Sequence, residues 1–176
     1  MKNTCYILLF AVITLGACSS NSEDDNSPTI SFRVDGDEVN ILTRTELRDA
    51  LDSFVIAYYD TVYEKEKNLR AFLLRDVLEL GFSMQLQNNQ NAIFTFMALD
   101  GFEDSATSDQ AAETGGYIAF EDLDVDGTEN WEPVVTENNN DPAPFYVVWT
   151  GSHQVPDNSY PWPYQLFAIN MIESLP

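Results

Sequence analysis

Short runs of β-branched and aromatic residues, each cut off by turn-forming residues, constrain this chain most. They are residues 54–63, Ile93 to Ala98, Phe145 to Trp149 and Leu166 to Ile172, with Asp100-Gly101, Gly115-Gly116, Pro144 and Pro163 among the breaks. Side chains of this kind lose rotamer freedom in a helix and pack well on a pleated surface, so the runs read as strands. From Thr29 apolar and polar residues alternate through Ile30, Phe32 and Val34. Asp35-Gly36-Asp37 then interrupts before Val39 and Ile41, the pattern of a hairpin. Gly115-Gly116 introduces a further strand, Tyr117 to Phe120. Helical signals are few. Thr43 followed by Glu46 forms a capping-box pattern ahead of Leu47 and Leu51, predicting a helix over 44–52. Leu73, Leu74, Val77, Leu78 and Leu80 recur at helical spacing, and Gly81 is a natural stop. Roughly seven strands and two short helices predict an α+β fold, mainly β, with mixed sheets. Residues 121–144 and 150–164 are polar or Pro-rich and read as loops, and no internal repeat is present.

The N-terminus reads differently. Lys2 is the sole charge of the first 22 residues, and Tyr6 to Ala17 is almost wholly apolar. A basic start, a short apolar stretch and small residues before the cut describe a secretory signal peptide, too short to span a bilayer as a helix. Leu15-Gly16-Ala17-Cys18 resembles the lipobox of bacterial lipoproteins. That resemblance implies removal of residues 1–17 and acylation of Cys18, including palmitate-type chains, with the membrane as partner through the lipid anchor. Residues 18–28 then form an acidic tether and 29–176 a single globular domain. Glu23, Asp24 and Asp25 just after the cysteine also resemble the export signal of surface-displayed lipoproteins. The expected location is the cell envelope, at the outer membrane and facing outward.

Charge narrows the partners. The chain carries 29 Asp and Glu against eight Lys and Arg, a formal net charge of −21. Beyond Lys2, every basic residue lies between Arg33 and Arg75, whereas Asp76 to Pro176 holds 17 acids and no Lys or Arg. Such a surface repels phosphate backbones, which excludes nucleic-acid binding, and it repels anionic headgroups too. A basic protein or a cation is what this field attracts, although acidity also serves solubility alone. Cys18 is the only cysteine after the expected cut. The domain therefore has no thiol for a disulfide, a metal or a nucleophile.

The order of the motifs resembles the small sulfite-oxidase-type molybdopterin-binding domain. They are Leu73-Leu74-Arg75-Asp76-Val77-Leu78-Glu79-Leu80-Gly81, then Asp100-Gly101-Phe102 and Gly116-Tyr117-Ile118-Ala119-Phe120. Pro144-Phe145-Tyr146-Val147-Val148-Trp149 and Trp162-Pro163-Tyr164-Gln165-Leu166 with Ile169 complete the series, which spans residues 30–174. The resemblance implies that fold. It also implies a cysteine thiolate on molybdenum and basic groups around the pterin phosphate, whereas Cys18 lies outside the domain and no Lys or Arg is present from Asp76 onward. A molybdenum oxidoreductase is therefore rejected. The expectation is a cofactor-free relative acting as a binding or accessory module, for instance for a basic envelope or electron-transfer protein. The alternative is a divergent oxidoreductase or hydrolase with an unrecognised site.

Three local patterns carry candidate chemistry. Asp122, Asp124, Asp126 and Gly127 follow the opening of a calcium loop, with Thr128 able to add a backbone carbonyl. Position twelve is Pro133 rather than Glu, with Glu132 one residue short, so an EF-hand is excluded. A looser calcium site and a plain acidic turn both stand. Tyr160, Trp162 and Tyr164 alternate with Pro161 and Pro163, either displayed as a binding platform or closing the edge of the core. His153, the sole histidine, sits beside Ser152 and reads as a loop residue, since a triad or zinc site needs more partners. No catalytic residue is assigned. Among so many acids, no single carboxylate pair marks a glycosidase.

Overall fold

The computed structural model describes residues 27–61, 63–127, 129–134, 141–151 and 160–173. The expected signal peptide and Cys18, together with Thr128, Ser152 and His153, lie outside the described residues.

β1 (Thr29–Val34) and β2 (Asp37–Thr43) form the expected hairpin. Its two-residue turn places Asp35 at φ 51° and Gly36 at φ 91°. Both central residues are left-handed, the geometry that matches strand twist and favours Asp-Gly. Helix α1 (Arg44–Ala50) starts at the capping box of Thr43 and Glu46 and buries Leu47. Of the 54–63 run, residues 54–60 lie in β3 (Ser53–Asp60), paired with β4 (Lys65–Leu73), and Thr61 and Tyr63 belong to the turn between them. Helix α2 (Leu74–Gly81) follows, then β5 (Ala92–Ala98), β6 (Glu103–Thr107) and helix α3 (Ser108–Ala112). β7 (Gly116–Asp122), β8 (Tyr146–Trp149) and β9 (Leu166–Glu173) complete the set.

The α+β, mainly β class holds, with three α-helices where the sequence predicts two. The extra one, α3, has its own capping box, Thr107 with Gln110. It buries Ser108 and Ala111, so its sequence shows no apolar stripe. β4 and β6 are likewise unforeseen, because Lys65-Glu66-Lys67 and Glu103-Asp104 hide their alternation behind charge.

The strands make two sheets. One has the order β2-β1-β9-β5-β6 and is mixed, since β1 and β9 run parallel while the other pairs are antiparallel. The other, β3-β4-β7-β8, is antiparallel throughout. Their facing surfaces enclose the main core with α2 and α3. Ile30, Phe32, Phe94 and Phe96 come from one sheet, and Phe72, Phe120, Val147 and Trp149 from the other. Phe72 and Phe120 stack at 4.3 Å. Gly81 ends α2 where a Cβ would lie only 2.0 Å from the Phe32 ring, so glycine lets that ring seat against the helix.

The four-stranded sheet is buried on its second face as well. Ile56, Tyr58, Leu69, Ala71, Ala119, Tyr146 and Val148 form a second cluster there, closed by Trp131 from the loop after β7. This explains why all four residues of β8 are buried: a strand covered on both faces needs apolar side chains at every position. Among the described residues no helix is long and apolar enough to cross a membrane.

Candidate functional site

The second cluster ends in a knot of ionisable groups. Register places Tyr58 of β3 opposite Lys67 of β4, and Asp60 opposite Lys65. With a period of two, Tyr58, Asp60, Lys65 and Lys67 share a face with Leu69 and Ala71. A register shift at Arg70/Ala71 sets Asp122 of β7 opposite Leu69 on that face. The following loop folds back to add Asp124 and Glu132.

Lys67 is 1% exposed. Its Nζ donates to Asp122 Oδ2 at 2.7 Å and to Glu132 Oε2 at 3.0 Å, with Asp124 Oδ2 3.5 Å away. The ammonium also sits 4.8 Å from the Tyr63 ring centre. Burial pushes the ammonium toward neutrality, but the hydrogen bonds and charges of Asp122 and Glu132 outweigh that and hold its pKa above the ordinary lysine value. Asp122 Oδ1 accepts from the Asp124 backbone N–H and Oδ2 from that of Glu132. Glu132 is held below the usual carboxylate range, first by the hydrogen bond from Lys65 and then by Lys67. For Asp124, burial works upward but is overcome by hydrogen bonds from the Asn68 side chain and backbone, leaving its pKa low.

Beside this knot Asp60 is fully buried. Its Oδ2 accepts from the hydroxyls of Tyr58 at 2.6 Å and Tyr146 at 3.0 Å, and Oδ1 from the Tyr63 backbone N–H at 3.2 Å. Burial, joined by the Asp60 charge, drives both phenols far above their ordinary pKa, so they remain donors. The Tyr63 hydroxyl donates to the Glu132 carbonyl at 2.5 Å and ties the loop to the β3–β4 turn. Chemically this is a closed set of matched donors and acceptors, with its central groups removed from solvent. A buried charge is tolerable when paired in this way and costly when it is not.

The calcium-loop residues are therefore split by the structure. Asp122 and Asp124 direct oxygens at Lys67, so an ammonium stands against two of the carboxylates that the calcium-loop reading would use. Asp126 contributes its backbone carbonyl to the Asn130 side chain. Among the described residues no group of three or more His, Cys, Asp or Glu is arranged to hold a metal. The three rings of the Pro-rich segment are half-buried. Tyr160 meets Trp149 edge-on at 4.7 Å and donates to Glu113; Trp162 and Tyr164 meet Tyr146 at 6.4 and 5.5 Å. The segment runs beside β8, where Val147 N–H donates to Pro163 C=O and Leu166 N–H to Phe145 C=O. Trp162 Nε1 is buried with no hydrogen-bond partner among the described residues.

Sequence reasoning missed Lys67, Asp60 and Tyr146 as one constellation. The signal was available: Lys67 shares parity with Leu69 and Ala71, so reading β4 as a strand would have turned a lysine inward.

The surface carries a different message. Of the seven basic residues after Lys2, five are in ion pairs within the chain: Arg44 with Glu129, Lys65 with Glu132, Lys67 as above, Arg70 with Glu121 and Arg75 with Asp76. Arg33 and Arg48 lie over the rings of Phe167 and Phe120. A cleft between α2 and α3 holds Arg75 among Asp76, Glu79 and Asp109, so it too is acidic. Comparison with known protein families and with curated proteins finds no match.

Proposed function

We propose that the protein is a lipid-anchored lipoprotein of the cell envelope whose domain works as a binding or accessory module for a basic protein partner. The observation that carries this reading is the fate of the basic side chains. Five of seven are spent on the chain's own carboxylates, so what remains for a partner is a field of negative charge. Such a field steers basic proteins and raises their association rate, with strong salt dependence. The scaffold is read as a small sulfite-oxidase-type domain that has lost its metal chemistry. Support comes from the motifs Leu73 to Gly81, Gly116 to Phe120 and Phe145 to Trp149, whose apolar residues line one core from α2, β7 and β8, with Asp100-Gly101 in the turn between β5 and β6. Its ligand cysteine has no counterpart between residues 27 and 176.

The test is capture of envelope proteins by the full-length lipoprotein at low and high salt, with metal and pterin analysis of the same preparation. Capture of basic proteins that weakens as the Debye length shrinks supports the reading; salt-insensitive capture argues against it. Stoichiometric molybdenum would overturn the cofactor-free assignment. Cys18→Ser should release the protein from membranes, and membrane retention by that variant would refute the anchor.

A further inference from the structure

Two sheets have four edges, and three of them are blocked. β2 begins with Asp37 and Glu38 and its pairing with β1 is broken by a bulge. β6 is five residues long and opens with Glu103 and Asp104. β8 is flanked by the segment that bonds through Pro163 and Leu166. These are the usual protections of a sheet edge. β3 has none of them. It is eight residues long, uncharged and without proline from Ser53 to Tyr59, and in unbroken register with β4.

The direction of its backbone groups follows from its neighbour. Leu123 N–H donates to Asn68 C=O and Asn68 N–H donates to Asp124 Oδ2, both at 2.9 Å. Both backbone groups of Asn68 thus point away from β3. Asn68 stands opposite Ala57, which makes this a non-hydrogen-bonded pair of the antiparallel ladder. The N–H and C=O of Ala57, and of Val55 two residues earlier, therefore point to the open edge. Among the described residues nothing bonds to them. Phe54 and Val55 are 41% and 59% exposed alongside. Exposed carboxylates flank the strand at Asp49 and Asp52 on one side, and at Glu64 and Glu66 on the other.

We propose that the β3 edge accepts an extended segment of a basic protein as an added strand, with alternate apolar side chains against Val55 and Lys or Arg at both ends. This rests on the reading of the domain as a binder of basic partners and names its place and mode. Strand addition supplies affinity through backbone hydrogen bonds and specificity through alternate side chains. Charge decides between occupants. A second copy paired antiparallel about Ala57 would bring the Asp49–Asp52 end of one chain against the Asp60–Glu66 end of the other, placing like charges together. Lysines at the ends of a foreign strand meet carboxylates instead.

The probe is a labelled nine-residue peptide of alternating Val and Thr with two Lys at each end, and a control with Glu in place of Lys. Added to the full chain, the Lys peptide should bind and slow hydrogen exchange at the Val55 and Ala57 amides. Ile56 and Tyr58, already bonded to β4, should keep their rates. Ala57→Pro removes an outward N–H without touching the β4 ladder and should weaken binding at least about tenfold. Val55→Lys, which keeps the backbone intact, should do the same by repulsion. Lys-peptide binding that is salt-dependent but unchanged in both variants, with no protection at Val55 and Ala57, overturns the edge and leaves the acidic-surface reading standing. Equal binding of both peptides with protection keeps the edge and overturns the charge reading, and no binding of either overturns both. A concentration-dependent dimer abolished by Ala57→Pro would make a second copy the occupant and overturn the proposal.

Discussion

Replacing Lys67 by methionine keeps most of the side-chain volume and removes the one cation that Asp122, Asp124 and Glu132 converge on. Lys67 and Asp122 are each 1% exposed, so the variant leaves the buried Asp122 carboxylate without its ammonium partner, while Lys65 stays on Glu132. Removing one partner of a buried ion pair costs about 3–5 kcal/mol, most of it from the uncompensated charge left behind. Backbone N–H groups of Asp124 and Glu132 still reach Asp122 and soften the loss, placing the expected value near the lower end, about 3 kcal/mol. For a domain of this size, that lowers the melting temperature by roughly 10 °C. Urea unfolding near neutral pH reads the difference directly. Millimolar calcium should restore part of the lost stability in the variant while leaving the wild type unmoved, because the ammonium already fills that position. A deficit below about 1 kcal/mol would refute the claim that this ion cluster holds the 122–132 loop on the sheet.

Other consequences follow from the same geometry. Gly81→Ala would press a Cβ into the buried Phe32 ring and should cost about 1–3 kcal/mol in urea unfolding at constant m-value. Absorbance titration with alkali should show Tyr58 and Tyr146 ionising only with global unfolding, since their folded pKa values lie above the unfolded one and ionisation is coupled to loss of structure. Asp124 and Glu132 have depressed folded pKa values, so their contribution is present above the unfolded carboxylate range and is lost as pH falls through the folded values. The urea midpoint should accordingly decline below about pH 4, and Glu132→Gln should flatten that acid limb.

Much of the frame was legible from local chemistry. The Asp35-Gly36 hairpin, the Thr43–Glu46 cap, the helix ending at Gly81 and the core strand at Phe145 to Trp149 each rest on neighbours within a few residues. Turn sterics, capping and apolar run length are local properties. The acidic character of the surface is also countable, because every basic residue after Lys2 falls between Arg33 and Arg75. Tertiary structure decided the rest. Lys65-Glu66-Lys67 shows no apolar alternation of its own, and only the pairing of β4 with both β3 and β7 sets the register that turns Lys67 inward. Asp122 and Asp124 look like cation ligands until the ammonium of a residue 55 positions away lies against them. β3 is an edge strand only in the assembled sheet, and which of its amides face outward is set by Asn68, which spends its backbone groups on the loop after β7. Charge balance and edge pairing depend on which strands meet, and that is fixed by burial across the whole domain rather than by any window of its sequence.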